Sequence, residues 1–317
     1  MPHTLVLGAG PLGRATIDAC KLDGHDITLA TRSGTTIDGT TSIVLDITAA
    51  DATNMLRTTH EDHPIDAIVV ACNFPYGKWE APWAATTTNL IAAATELDTT
   101  IVLAGNLYGY GPSTSSLSES HPLNAKFASG RTRAKVWQRM HEATQAGQIR
   151  AVEVRGSDYI GPTAGGAAHA GDRLIDPILQ GKAAYPLGNP DLPHSWTAVA
   201  DFGALLARAT SDSRMHGAAW HVPSAPAASI RELAEQVATI AEAPKPTLHA
   251  IPYWPMRAAA FASPMMRGLS EVGYQFTQPF VMADQHTRDE LGVTHTPLID
   301  TLTATVAARR AQLQAQQ

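Results

Sequence analysis

An apolar run, Thr4-Leu5-Val6-Leu7, passes straight into Gly8-Ala9-Gly10-Pro11-Leu12-Gly13. Three glycines at this spacing, set between a strand and a helix, admit few folds. Gly8 permits a tight turn, Gly10 lets another group approach the backbone, and Gly13 lets the helix press onto the strand. The same alternation then repeats. Candidate strands fall at 4–7, 26–30, 42–45, 67–71, 100–103 and 150–154, with helical stretches at 12–22, 49–60, 82–97 and 126–146. Short apolar strands separated by helices predict an α/β fold, a doubly wound parallel sheet covered on both faces.

The second half is less regular and richer in proline. A loop at 161–166 opens it, helices are expected at 173–180, 199–209, 230–241 and 298–314, and short strands near 183–185, 218–222 and 247–251. The end, 312–317, reads as frayed. The expected organisation is a nucleotide-binding domain over 1–160 and a smaller α+β substrate-binding region over 161–317, with segments from about 195 to 222 returning to the first.

Composition narrows the partners. With a net charge of −6 and no long block of like charges, nucleic acid is not expected. The two cysteines, Cys20 and Cys72, have no CxxC neighbour, which suits reduced thiols. The chain starts directly on a strand, and no apolar run reaches the roughly 18 residues that span a bilayer. The expectation is a cytoplasmic protein, monomer or homodimer, with a small-molecule substrate and no bound metal. His121, His169 and His194 stand in unlike contexts too scattered for a metal site.

The glycine-rich turn has the context of a dinucleotide fingerprint. The free N–H groups and partial positive charge of the following helix suit a pyrophosphate over Gly8, Gly10, Pro11, Leu12 and Gly13. The end of the second strand then selects the nucleotide. Ala30-Thr31-Arg32-Ser33 offers no carboxylate before Asp38 for ribose hydroxyls. Arg32, helped by Thr31, Ser33 and Arg14, can instead pair with a 2′-phosphate, the alternative being a solvated surface arginine, so NADP(H) is favoured over NAD(H). Asp46 is a candidate acceptor for the adenine amino group, or alternatively a turn residue. Ala71-Cys72-Asn73 is expected to pass close to the cofactor.

Together these residues resemble the short-chain dehydrogenase/reductase superfamily, in its extended branch of epimerases and dehydratases with a Rossmann fold. The resemblance runs through Gly24-His25-Asp26, Asn89-Leu90-Ile91, Tyr110-Gly111-Pro112, Lys135, Arg155, Tyr159-Ile160-Gly161-Pro162, Val199-Ala200-Asp201, and Leu291-Gly292 with Pro297-Leu298. Its departures lie at the chemistry. The family's serine, four residues before Tyr110-Gly111, appears as Asn106. Its tyrosine, four residues before Lys135, appears as Arg131. An arginine that pairs with sugar diphosphate is replaced by His194, and a common substrate-binding asparagine by Asp158. This combination is similar to the atypical subgroup of the superfamily.

An arginine binds anions but gives up no proton at working pH. Lys135 can still hold the nicotinamide ribose, with a surface lysine on the helix 126–146 as the alternative. Asn106 can orient a substrate carbonyl, or equally serve its own loop backbone. Tyr108, two residues further on, is the candidate replacement acid, with an aromatic lid over the cofactor as the alternative; a cation such as Lys135 nearby would lower its pKa from about 10. Arg131 either binds an anionic group of the substrate or lies solvated on the helix exterior with Arg133, Lys135 and Arg139. Phe74, Tyr76, Trp83, Asp158, Tyr159, His194, Trp196 and Trp254 are candidates for an aromatic substrate pocket.

Three functions compete. The first is an NADP(H)-dependent oxidoreductase acting on a small carbonyl or enone-like compound. The second is a non-catalytic NADP(H)-binding redox sensor, similar to NmrA-type regulators. The third is an epimerase or dehydratase that keeps its cofactor bound.

Overall fold

A computed structural model describes residues 1–165 and 168–315. Gly166 of the expected loop, and Gln316 and Gln317 of the expected frayed end, lie outside the described residues. The elements run β1 (His3–Leu7), α1 (Pro11–Leu22), β2 (Asp26–Thr31), β3 (Thr41–Val44), α2 (Ala52–Asp62), β4 (Ala67–Val70), α3 (Glu80–Leu97), β5 (Thr100–Asn106), α4 (Ala128–Gln145) and β6 (Arg150–Gly156). Then follow β7 (Asp158–Ile160), α5 (Asp172–Leu179), β8 (Trp196–Ala198), α6 (Val199–Ala209), β9 (Ala219–His221), α7 (Ile230–Ile240), α8 (Trp254–Ala259), α9 (Pro264–Val272), α10 (Gln285–Leu291) and α11 (Leu298–Ala315).

The chain divides into two compact units. The first takes Met1–Gly111, Leu123–Arg155 and Phe202–Trp220; the second takes Pro112–Pro122, Gly156–Asp201 and His221–Gln317. In the first, the sheet order is β3-β2-β1-β4-β5-β6-β9. The pairings β2–β3, β1–β2, β1–β4 and β4–β5 are all parallel. β1 and β4 are buried along their whole length, as strands covered on both faces must be. Leu5, Leu7, Ile68, Val70, Ile101 and Leu103 join Trp83, Leu90 and Met140 from the flanking helices in one apolar core.

The chain leaves β1 for β2 on one side and enters β4 on the other. A strand order that reverses in this way opens a crevice at the carboxyl ends of β1 and β4. The glycine-rich turn and Ala71-Cys72-Asn73 stand at those ends.

In the second unit β7 pairs in parallel with β8, with Asp158 opposite Trp196. α5, α7 and α11 pack round Ile160, Trp196, Leu233 and Leu302. The strands expected at 183–185 and 247–251 are not strands. Ala184 meets Leu248, and Leu187 meets Ile251, only as isolated bridges. Among the described residues no helix is long and apolar enough to cross a membrane.

Candidate functional site

The glycine-rich turn is built as its sequence demands. Gly8 has φ +107°, and a Cβ there would lie 3.1 Å from the backbone of Cys72. A Cβ on Gly13 would stand 2.0 Å from the Gly8 carbonyl oxygen. Gly10 differs from both. Its φ of −72° suits any residue, and beyond its adjoining chain a Cβ would meet nothing within 4 Å among the described residues. Neither conformation nor internal packing therefore asks for glycine at that place. Gly10 also precedes the first turn of α1, which carries no side-chain cap, so its N–H groups are available to an anion.

Around this turn Arg14 donates from Nε to the Ala9 carbonyl at 3.0 Å. Arg32 and Ser33 are exposed just past β2. The Thr31 hydroxyl accepts from the Thr35 amide at 2.9 Å, and Ser33 and Thr35 hydroxyls lie 2.9 Å apart. Asp46 accepts from the Thr48 amide at 2.9 Å and hydroxyl at 2.7 Å. Those bonds hold its carboxyl below the usual carboxylate range, with a smaller contribution from the charge of Arg32. Burial pushes the Cys72 thiol up to about 11, which leaves it inert as a nucleophile. Asn73 accepts from the Phe74 amide at 2.9 Å, closing its own turn.

β5 ends in a single 3-10 turn, Leu107–Gly109, that carries the candidate acid. Asn106 caps it, its Oδ1 accepting from the Tyr108 amide at 3.1 Å. The Tyr108 hydroxyl lies 3.0 Å from that of Tyr76. The Trp79 ring stacks on both, with centroids at 5.0 Å from Tyr76 and 6.2 Å from Tyr108. α4 packs hard against this turn at Gly130, where a Cβ would come 2.4 Å from the Tyr108 carbonyl oxygen. On the exposed face of α4, Arg131 donates to the Lys126 carbonyl, and Lys135 reaches Glu80 at 3.9 Å.

Arg133 does not share that face, contrary to the expectation of a solvated charge. It is 4% exposed and lies over the ring of Trp83 at 4.5 Å. Trp83 is itself fully buried core and not a pocket wall. Arg133 donates to the Ala104 carbonyl at 2.6 Å and stands 3.8 Å from Glu153. Glu153, 2% exposed, pairs with Arg155 at 2.5 and 2.7 Å. Arg155 in turn donates to the Tyr110 hydroxyl at 2.6 Å. The two arginines thus grip the Ala104–Tyr110 segment at both ends through one carboxylate. Gly105 makes room for it, since a Cβ there would lie 2.7 Å from Glu153 Oε1. A signal for this clamp was present in the sequence: a glutamate inside the apolar run 150–154 requires a buried cation.

In the second unit Asp158 and His194 meet. His194 Nε2 donates to Asp158 Oδ2 at 2.8 Å, with the His194 side chain 5% and Asp158 18% exposed. His194 packs on Trp196 at 4.5 Å and lies near parallel to Phe276 at 5.9 Å. His169, scattered from His194 in sequence, stacks on the same Phe276 ring at 4.0 Å. Tyr159 is half-buried on β7. Trp254 lies outside any such wall, 71% exposed on α8. No group of three or more metal-ligating side chains occurs among the described residues.

Comparison with known proteins bears on both units. The family model of the NAD dependent epimerase/dehydratase family matches residues 4–221. No curated protein sequence matches the chain at a significant level. Among solved structures, dTDP-glucose 4,6-dehydratase from Bacillus anthracis in complex with NAD superposes with a TM-score of 0.81 at 14% identity, covering 99% of this chain and 98% of that one. UDP-glucose 4-epimerase from Thermotoga maritima with UDP-glucose gives 0.80 at 12% identity, covering 98% and 99%. UDP-glucuronic acid 4-epimerase from Bacillus cereus in complex with NAD gives 0.75 at 16% identity, covering 98% and 99%.

Proposed function

The chain belongs to the NAD dependent epimerase/dehydratase family, and on that premise we propose a nicotinamide-dinucleotide enzyme with a rebuilt proton donor. Its cofactor is NADP(H) in preference to NAD(H). Its reaction moves hydride to or from a small organic carbonyl or enone-like substrate. The observation that carries the reading is Gly10, a glycine that this protein's own packing does not need, set before an uncapped helix N-terminus. Close approach of a pyrophosphate accounts for it.

The solved structures bound to NAD support the dinucleotide as a class. Preference for the 2′-phosphate rests on this chain alone: no carboxylate ends β2, and Arg32 is exposed there with Arg14 beside the turn. When bound, the nicotinamide would supply or accept the hydride. Tyr108 gives the proton to the developing oxygen and draws on Tyr76, 3.0 Å away. Asn106 fixes the turn through the Tyr108 amide, and the Arg133–Glu153–Arg155 clamp fixes the segment beneath it. Lys135 holds the nicotinamide ribose. In the first unit Arg131 is the candidate partner for an anionic group of the substrate, beside Phe74 and Tyr76; in the second unit Asp158, Tyr159, His194 and Trp196 are the candidates for recognition.

The named activities of the solved structures favour a second reading, an epimerase or dehydratase that returns the hydride before release. Purified protein incubated with NADPH and a panel of aldehydes, ketones and enones, and in parallel with NADP+ and nucleotide-sugars, separates the two. Net cofactor consumption supports the oxidoreductase. Isomerised or dehydrated product without net consumption supports the second reading. Tight NADPH binding with neither outcome leaves only a sensor.

A further inference from the structure

The second unit gathers three polar side chains round aromatic faces, and their free valences define a ligand. Asp158 has one oxygen committed to His194 at 2.8 Å, and its other oxygen takes no hydrogen bond from the described residues. His169 Nε2 is buried with no hydrogen-bond partner among the described residues. Its ring stacks on Phe276 at 4.0 Å and lies within 2° of parallel to Trp196 at 6.3 Å. Asp158, His169 and Phe276 keep part of their surface open, whereas His194 and Trp196 lie buried beneath. An unfilled imidazole nitrogen in such a place is destabilising unless a ligand meets it.

The charges decide which ligand. Burial holds the His169 imidazole down at about 4, against the opposing pull of Asp158 and with a smaller effect from His194 and Arg173. At neutral pH His169 is therefore uncharged. The partly exposed Asp158 offers a carboxylate where a diphosphate would need a cation. Arg173 is exposed, so its charge is screened by solvent. A hydroxyl donor, by contrast, gives the free Asp158 oxygen a charge-assisted hydrogen bond. A neutral imidazole can take a second hydroxyl, and the aromatic faces take a flat ring.

We infer that Asp158, His169 and His194, walled by Phe276 and Trp196, bind an uncharged flat ring bearing hydroxyl donors and reject a diphosphate. This subsite rests on the reading of the second unit as the substrate-recognising one.

Catechol, a flat ring with adjacent hydroxyls, and inorganic pyrophosphate are suitable probes for calorimetric titration of the full chain with NADPH present. Catechol should bind the wild type, pyrophosphate should not, and Asp158→Asn should weaken catechol by roughly tenfold or more. His169→Phe, which keeps the stack and removes the nitrogen, should weaken it as well. Unchanged thermal midpoints establish that each variant folds. Pyrophosphate binding more tightly than catechol, no catechol binding, or catechol affinity indifferent to both substitutions overturns the subsite. NADPH titrated alone tests the proposed function separately, because a wild type that fails to bind NADPH yet shows the catechol response loses that function and keeps the subsite.

Discussion

The phenol oxygens of Tyr76 and Tyr108 lie 3.0 Å apart, although one stands in the loop after β4 and the other in the turn after β5. One hydroxyl must donate to the other, so a proton leaving Tyr108 has a replacement within one hydrogen bond. Tyr108→Phe is expected to lower kcat by about 10²–10⁴ with little change in NADPH affinity, the range for losing a general acid. Tyr76→Phe keeps the donor and loses its partner, so the fall should be only about tenfold. Steady-state NADPH consumption with the best substrate of the carbonyl panel measures both. The reverse order of effects would move the acid to Tyr76.

Arg32→Ala should raise the Kd for NADPH by about 10- to 100-fold, as expected for one charge-assisted phosphate contact. NADH affinity should stay within about twofold, because no 2′-phosphate is there to lose. Fluorescence titration of both cofactors measures the difference, and equal losses would refute the NADP(H) preference.

Glu153→Gln leaves the buried guanidinium groups of Arg133 and Arg155 without their carboxylate. Breaking a buried ion pair from one side costs about 3–5 kcal/mol. Denaturant unfolding should show a loss of that order, and a loss under about 1 kcal/mol would mean the clamp is not a charge network.

Acid should weaken both units. Burial lowers the imidazole pKa of His3, which stacks on His63 at 4.0 Å, and burial brings His169 to about 4. An unfolded histidine titrates near 6.5, so below that pH the unfolded chain binds protons that these two folded sites refuse. Their contribution to stability is full above pH ~6.5 and falls as pH drops towards 4. Urea midpoints across this range should decline, and less steeply in His169→Phe; a midpoint rising on acidification would contradict the assignment.

Much of the first unit was legible because its strands are apolar on both faces and its helices lie between them. The end of β5 was harder: the apolar run suggests a strand over 100–103, yet β5 runs on to Asn106. Gly105 serves there to pass Glu153. Arg133 looked solvated because its partner is on β6, a non-local relation that helix spacing does not carry. α8 and α9 carry Pro255 and Pro264, residues that favour no helix interior, but both occupy a first turn, where a missing N–H costs nothing. β7 and β8, three residues each, are too short to show a period, so the meeting of Asp158 with His194 was hidden although both had been singled out.

The most direct test of the rebuilt proton donor is a crystal structure of the NADP(H) complex, read for the side chains nearest C4 of the nicotinamide. The Tyr108 hydroxyl should stand on the open face of that ring, within reach of an oxygen on the carbon that exchanges hydride, with the ring's ribose against Lys135. A nicotinamide whose C4 faces Arg131 or backbone, with Tyr108 turned away from it, would contradict the account.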